Sequence, residues 1–158
     1  MSSEAVLSPA LAAERHDGPR ALALRYLAAM ERRDLDAARG FVSEDAEFVF
    51  PGGARRSDLA AIVKGSSGRY RSIAKHIERC DLCEGGDGTA TVYVLGSLYG
   101  QWPDGAAFSG IRFVDRFEIA GGLIRRQEVW NDSGEARLAA AGAPSSAPGP
   151  ATTSSIRR

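Results

Sequence analysis

The sequence predicts an α+β fold in which an antiparallel sheet curves around about three N-terminal helices. Two observations carry that expectation. Apolar residues recur at helical spacing only between Pro19 and Val63, and from Ser72 onward they fall into long extended runs separated by Gly-rich turns. Helices gathered first and antiparallel strands gathered after them imply a helix layer on one face of a sheet. A sheet curved around helices leaves a cavity between the layers, a common place for a small-molecule site.

The elements follow in order. In "PRALALRYLAAMERR", Pro19 suits a first helical turn, where its missing N–H would be unpaired anyway; Leu22, Tyr26 and Met30, with Ala23 and Leu27, form one apolar stripe opposite Arg25 and Arg32. Asp34 is placed to cap a second helix, "LDAARGFV", whose Leu35, Ala38, Phe41 and Val42 share a face. "AEFVF" reads as a short strand stopped by "PGG", and "SDLAAIV" as a short third helix with Ser57 or Asp58 as its cap. The strands "SIAKHIERCDLC", "TATVYVLGSLYGQW", "AFSGIRFVDRFEI" and "LIRRQEVWND" come next, divided by the turns "EGGDG", "PDG" and "AGG". Residues 1–17 and 142–158 are small, polar or rich in Pro, Ser and Ala, and are expected to be disordered tails flanking one domain over 18–141.

Composition excludes several function classes. Twenty acidic and 20 basic residues cancel, so no net field draws the chain to nucleic acid or to an anionic membrane. No run approaches the roughly 20 apolar residues of a membrane span. The first segment carries Glu4 and Glu14 instead of a basic start before an apolar run, so a cytoplasmic location is expected. Cys80 and Cys83 offer only two thiols, on opposite faces of a strand, and neither His16 nor His76 stands at finger spacing; they read as ordinary thiols, with no metal expected. Phosphate-loop, dinucleotide-binding and Gly-x-Ser-x-Gly patterns are absent, against nucleotide and serine-hydrolase chemistry.

One strand breaks its own pattern. In "GIRFVDRFEI" the positions Ile111, Phe113, Asp115, Phe117 and Ile119 alternate onto the core-facing side, so a carboxylate stands among apolar neighbours. An isolated carboxyl there is costly to ionise and is expected to stay a neutral donor.

"RYLAAMERRDLDAARGFVSEDAEFVFPGG" and "RFVDRFEIAGGLIRRQEVWND" together resemble the nuclear transport factor 2-like superfamily, of the SnoaL-like polyketide cyclase and ketosteroid isomerase type, over roughly Ala21 to Asp132. The resemblance implies a cone-shaped α+β barrel, a homodimer, a deep pocket and no cofactor. It also implies roles. Tyr26, after an arginine on the first helix, and Asp115, in "VDRF", occupy the places of that isomerase's oxyanion hole, where two donors stabilise negative charge developing on a substrate oxygen. The isomerase's general base is an aspartate just before the Pro of the first strand, and Phe50 stands there instead, a wall residue with no base chemistry. "AKHI" is similar to a strand of scytalone dehydratase-like members, which makes His76 the substitute base; an outward-facing His76 is the alternative, since neither alternate set of its strand is clearly apolar.

Following the same enzymes, Gln127, Val129 and Asn131 look inward on the last strand, with Gln127 and Asn131 fixing a substrate oxygen; a one-residue slip would present Glu128 instead. On the neighbouring strands Tyr93, Leu95, Ser97 and Phe113 are expected to line the pocket, with Trp102 over its mouth. The expected function is a cofactor-independent isomerase, cyclase or dehydratase acting on a hydrophobic small molecule. The alternatives are a non-catalytic ligand-binding or dimerisation module, and an epoxide hydrolase, for which Val129 stands where an acid would be wanted. Asp115 paired to Arg125 or Arg126 would be a purely structural acid.

Overall fold

The structure, a computed structural model, describes residues 18–142. Eleven elements build it: α1 (Pro19–Glu31), α2 (Leu35–Arg39), β1 (Val42–Phe50), a 3-10 turn (Pro51–Gly53), β2 (Ala54–Arg56), α3 (Leu59–Arg69), β3 (Ser72–Glu84), β4 (Thr89–Gln101), β5 (Ala107–Ala120), β6 (Leu123–Asn131) and α4 (Ser133–Gly142). The strands form one curved six-stranded sheet in the order β2-β1-β6-β5-β4-β3, and α1 packs across its concave face against β3, β4 and β6. The tails expected over 1–17 and 142–158 lie outside the described residues, apart from Gly142, which closes α4.

The helix caps follow the local chemistry. The Asp34 carboxylate accepts the Ala37 N–H and the Asp58 carboxylate, not Ser57, accepts the Ala61 N–H, each satisfying a donor that the first turn leaves unpaired. α2 is shorter than its apolar spacing suggests. Tertiary pairing takes the residues beyond it: the Phe41 carbonyl accepts the Ile124 N–H at 2.9 Å, and Val42 opens β1. α3 is longer than expected, running through two glycines and two serines to Arg69, with the Ser67 hydroxyl donating to the Val63 carbonyl. α4 was not foreseen; its Ala-rich stretch has high helix propensity but no buried face that periodicity could reveal.

The sheet is antiparallel except at one place, where β1 pairs β6 in parallel. Register then decides which side chains meet the helices, because residues directly opposite one another share a face. On β5 the alternation holds, with Ile111, Phe113, Asp115, Phe117 and Ile119 all buried. Val94 lies opposite Asp115 and is therefore inward, as are Val92 and Leu98. Tyr93, Leu95 and Ser97 consequently lie on the outer face, which corrects the expected facing of that strand.

On β3, Lys75 lies opposite Leu98 and faces inward, whereas His76 lies opposite Ser97 and is exposed on the outer face. Just beyond, the register shifts between Ile77 and Arg79, and the extra residue bends the strand. Gly96 makes that bend passable: a Cβ there would overlap the His76 carbonyl oxygen. Between the layers Tyr26 is fully enclosed, stacked on Phe48 with centroids 6.4 Å apart and meeting Phe117 edge-on at 5.9 Å.

Candidate functional site

A cavity of about 170 Å3 opens between α1, α3 and the concave sheet face. Its apolar wall includes Leu27, Met30, Ile62, Tyr70, Ile73 and Leu98, and the polar groups of its floor converge from four elements. α1 contributes Tyr26 and Glu31, β3 contributes Lys75, and β5 and β6 contribute Asp115, Gln127 and Asn131.

Asp115 has no exposed surface, yet it is not isolated. The Lys75 ammonium sits 3.0 Å from its Oδ2, outside hydrogen-bonding geometry, so the contact is charge pairing and neither carboxylate oxygen accepts a well-directed hydrogen bond. The same ammonium lies 3.9 Å from the centroid of the Phe113 ring, a cation–π contact that helps hold it over the cavity floor. The main-chain N–H of Lys75 donates to Glu31 Oε2 at 3.1 Å, tying β3 to the end of α1. The expectation of a lone, neutral acid in apolar surroundings is thereby revised: Asp115 is one half of a buried ion pair. Its partner is not the arginine the structural alternative named, since Arg125 pairs with Asp45 and Arg126 with Glu47 and Glu128.

The Tyr26 hydroxyl donates to Gln127 Oε1 at 3.1 Å. Burial first, and then the negative charge of Asp115, push the Tyr26 phenol far above its ordinary range. Tyr26 is therefore a lasting donor and not a base.

The other expected site residues divide clearly. Phe50, Val129 and Asn131 line the cavity with Tyr26, Asp115 and Gln127. Asn131 is also engaged locally, its Oδ1 accepting from the Ser133 main chain and hydroxyl. Phe113 is buried beneath Lys75 and does not reach the cavity surface. Trp102 is not over the mouth; it stacks on Tyr70 at 5.5 Å and meets Phe108 at a tilt, centroids 4.4 Å apart, supporting the wall from behind. His76, Tyr93, Leu95 and Ser97 are outside the cavity altogether. Glu128 is outside too: burial alone would raise its carboxyl, but Arg126 and Arg116 outweigh that and hold it below the ordinary range.

Sequence reasoning missed Lys75, and also Arg33, Arg56 and Arg69, which line the cavity towards α3. The signal for Lys75 was present in the alternate set Ile73-Lys75-Ile77. One inward lysine among isoleucines is the counterpart of one inward aspartate on β5. Among the described residues no group of three or more His, Cys, Asp or Glu could hold a metal; Cys80 is half-buried, with its thiol pushed up by burial, and Cys83 is exposed.

A curved sheet closed by helices over a side-chain-lined pocket defines an α+β domain with an internal cavity. The SnoaL-like domain model matches residues 23–127, about two thirds of the chain, and the protein belongs to that family. Solved structures share the fold. TerC co-crystallised with polyporic acid superposes with a TM-score of 0.61 at 20% identity, covering 74% of this chain and 93% of its own. An NTF2-like protein of unknown function from Burkholderia pseudomallei K96243 gives 0.62 at 16% identity, covering 74% and 92%. A putative polyketide cyclase from Sinorhizobium meliloti gives 0.52 at 22% identity, covering 69% and 93%. Identities this low establish the fold alone. No curated protein sequence matches the chain.

The raised Tyr26 phenol has a consequence for stability. Above about pH 10 the unfolded chain releases this proton and the folded chain keeps it, so stability falls by about 1.4 kcal/mol per pH unit on account of Tyr26. Urea unfolding of Tyr26→Phe should show a deficit of about 0.5–1.5 kcal/mol at pH 7, from the lost hydrogen bond, that shrinks and then reverses between pH 10 and 11.5. Parallel stability curves for the two proteins would contradict it.

Proposed function

We propose that this protein is an enzyme of proton transfer next to a carbonyl, acting without a cofactor on a small, largely apolar molecule. The observation that carries the proposal is the Lys75–Asp115 ion pair facing a cavity that also holds the Tyr26 hydroxyl. In this reading Asp115 removes a proton from the carbon beside the carbonyl. The C–H electron pair moves into the new C=C bond, and negative charge develops on the oxygen. The Lys75 ammonium stabilises that oxygen, joined by the Tyr26 phenol when its O–H turns from Gln127 Oε1 to the substrate, and the Gln127 amide N–H orients it. Return of the proton from Asp115 at another carbon completes an isomerisation; attack of the enolate carbon on a second carbonyl closes a ring, with the new alkoxide taking that proton; expulsion of a β-hydroxyl that takes the proton as it leaves as water completes a dehydration.

Asp115 replaces His76 as the base, because His76 is exposed on the opposite face of the sheet. Epoxide hydrolysis has less support, since Val129 occupies the wall where a second water-activating acid would be needed. Among the neighbours sharing the fold, one is named as a putative polyketide cyclase and one was crystallised with polyporic acid, which agrees with a small-molecule substrate in secondary metabolism.

The test uses 2-tetralone, a bicyclic apolar ketone, with exchange of its α-protons in heavy water followed by proton NMR. The wild-type protein should accelerate exchange, and Asp115→Asn should lower that acceleration about a hundredfold while the fold is retained. Binding of the ketone with exchange at the buffer rate would dismiss catalysis and leave a ligand-binding module.

A homodimer belongs to the same proposal. On the outer sheet face Leu95, Val114 and Trp130 lie side by side across β4, β5 and β6, and Trp130 keeps 53% of its surface exposed. Light scattering should find a dimer for the wild type and a monomer for Trp130→Glu; a monomeric wild type would refute this part.

A further inference from the structure

We infer that the substrate of this cavity carries an acid group, a carboxylate or comparable oxyanion, at the end remote from the reacting carbonyl; the inference rests on the proton-transfer reading above. Three arginines on the cavity lining carry it. Arg33 follows α1 in a left-handed conformation, φ 61°, and its guanidinium spans from the Met30 carbonyl to the Ser66 hydroxyl on α3, each at 3.3 Å. Arg56, at the end of β2, is half-buried; its Nη1 donates to the Arg55 carbonyl at 2.8 Å and its Nη2 lies against α3 at Gly65, where no side chain blocks it. Arg69 stands in the last turn of α3.

Among the described residues none of these three guanidinium groups has a carboxylate within ion-pairing distance. Elsewhere Arg39, Arg55, Arg79, Arg112, Arg116, Arg125 and Arg126 each have one, whereas among the described residues Arg20, Arg32, Arg71 and Arg137 have none. What sets Arg33, Arg56 and Arg69 apart is that they line one and the same cavity. Only two acids line the cavity. Asp115 is paired with Lys75, which leaves Arg33, Arg56 and Arg69 against Glu31 alone, so the lining keeps an excess of positive charge.

A low-dielectric cleft with one sign of charge concentrates ligands of the other sign, and guanidinium forks match planar oxyanions. The dimensions agree. The open cavity of about 170 Å3 is lined by Lys75 and by the three arginines together, so one bound molecule can meet both.

The test is calorimetric titration with a matched pair of probes, 6-acetyl-2-naphthoic acid and its methyl ester, which share the ring and the ketone and differ in charge. The wild type should bind the acid about tenfold or more tightly than the ester, with a preference that weakens as salt rises. Arg56→Gln and, independently, the exposed Arg69→Gln should each erode the preference and leave ester binding within about twofold, with melting curves confirming the fold. Lys75→Met should weaken both probes but keep the preference for the acid. Equal affinity for acid and ester in the wild type, or a preference that survives in the Arg56→Gln/Arg69→Gln double variant, would overturn the acid-group inference and leave the proton-transfer reading standing. Failure of both probes to bind would overturn the cavity as a ligand site, and both readings with it.

Discussion

A carboxylate with no exposed surface, set between Phe113 and Phe117 on an apolar strand face, is held in place by a single opposite charge. The Lys75 ammonium, 3.0 Å away across β4, supplies it. The pair joins strands that are not neighbours in the sheet, so it depends on the register of all three: Asp115 lies opposite Val94 and Lys75 opposite Leu98, and all four side chains share the concave face. Buried pairs contribute little net stability, because desolvation opposes attraction, but breaking one leaves an uncompensated charge that is strongly destabilising. A group retained at that cost, facing an accessible cavity beside a phenol that burial keeps protonated, is better placed for chemistry than for support.

Much of the fold was legible in the sequence because periodicity reports burial. The stripe Leu22-Tyr26-Met30 and the alternation Ile111-Phe113-Asp115-Phe117-Ile119 each named a face, and both faces are buried or nearly so. Helix caps were legible for a similar reason, since Asp34 and Asp58 act through local chemistry. What escaped was non-local. The end of α2 is decided by the pairing of Phe41 with Ile124, far away in sequence, and the parallel pairing of β1 with β6 leaves no mark on either strand.

The site divides along the same line. Tyr26, Asp115, Gln127, Val129 and Asn131 reach the cavity because their elements have one clear apolar face. On β4 both alternate sets contain large apolar residues, Tyr93 and Leu95 against Val92 and Val94, and parity alone selects neither. β3 is harder still, since the bulge after Ile77 exchanges its faces midway along the strand. His76 draws attention there as an imidazole, yet the residue one place earlier is the one that enters the cavity. The arginines come from a helix end, a short edge strand and a last helical turn, and only the fold brings them to one cavity.

The central claim is that Lys75 and Asp115 act as one unit, and a double-mutant cycle measures it most directly. Unfolding free energies would be compared for the wild type, Lys75→Met, Asp115→Asn and the double variant. The account predicts a coupling energy of about 1–3 kcal/mol, with the double variant more stable than the sum of the single losses implies. Additive losses, within about 0.3–0.5 kcal/mol, would mean that the two groups do not interact and would contradict the account.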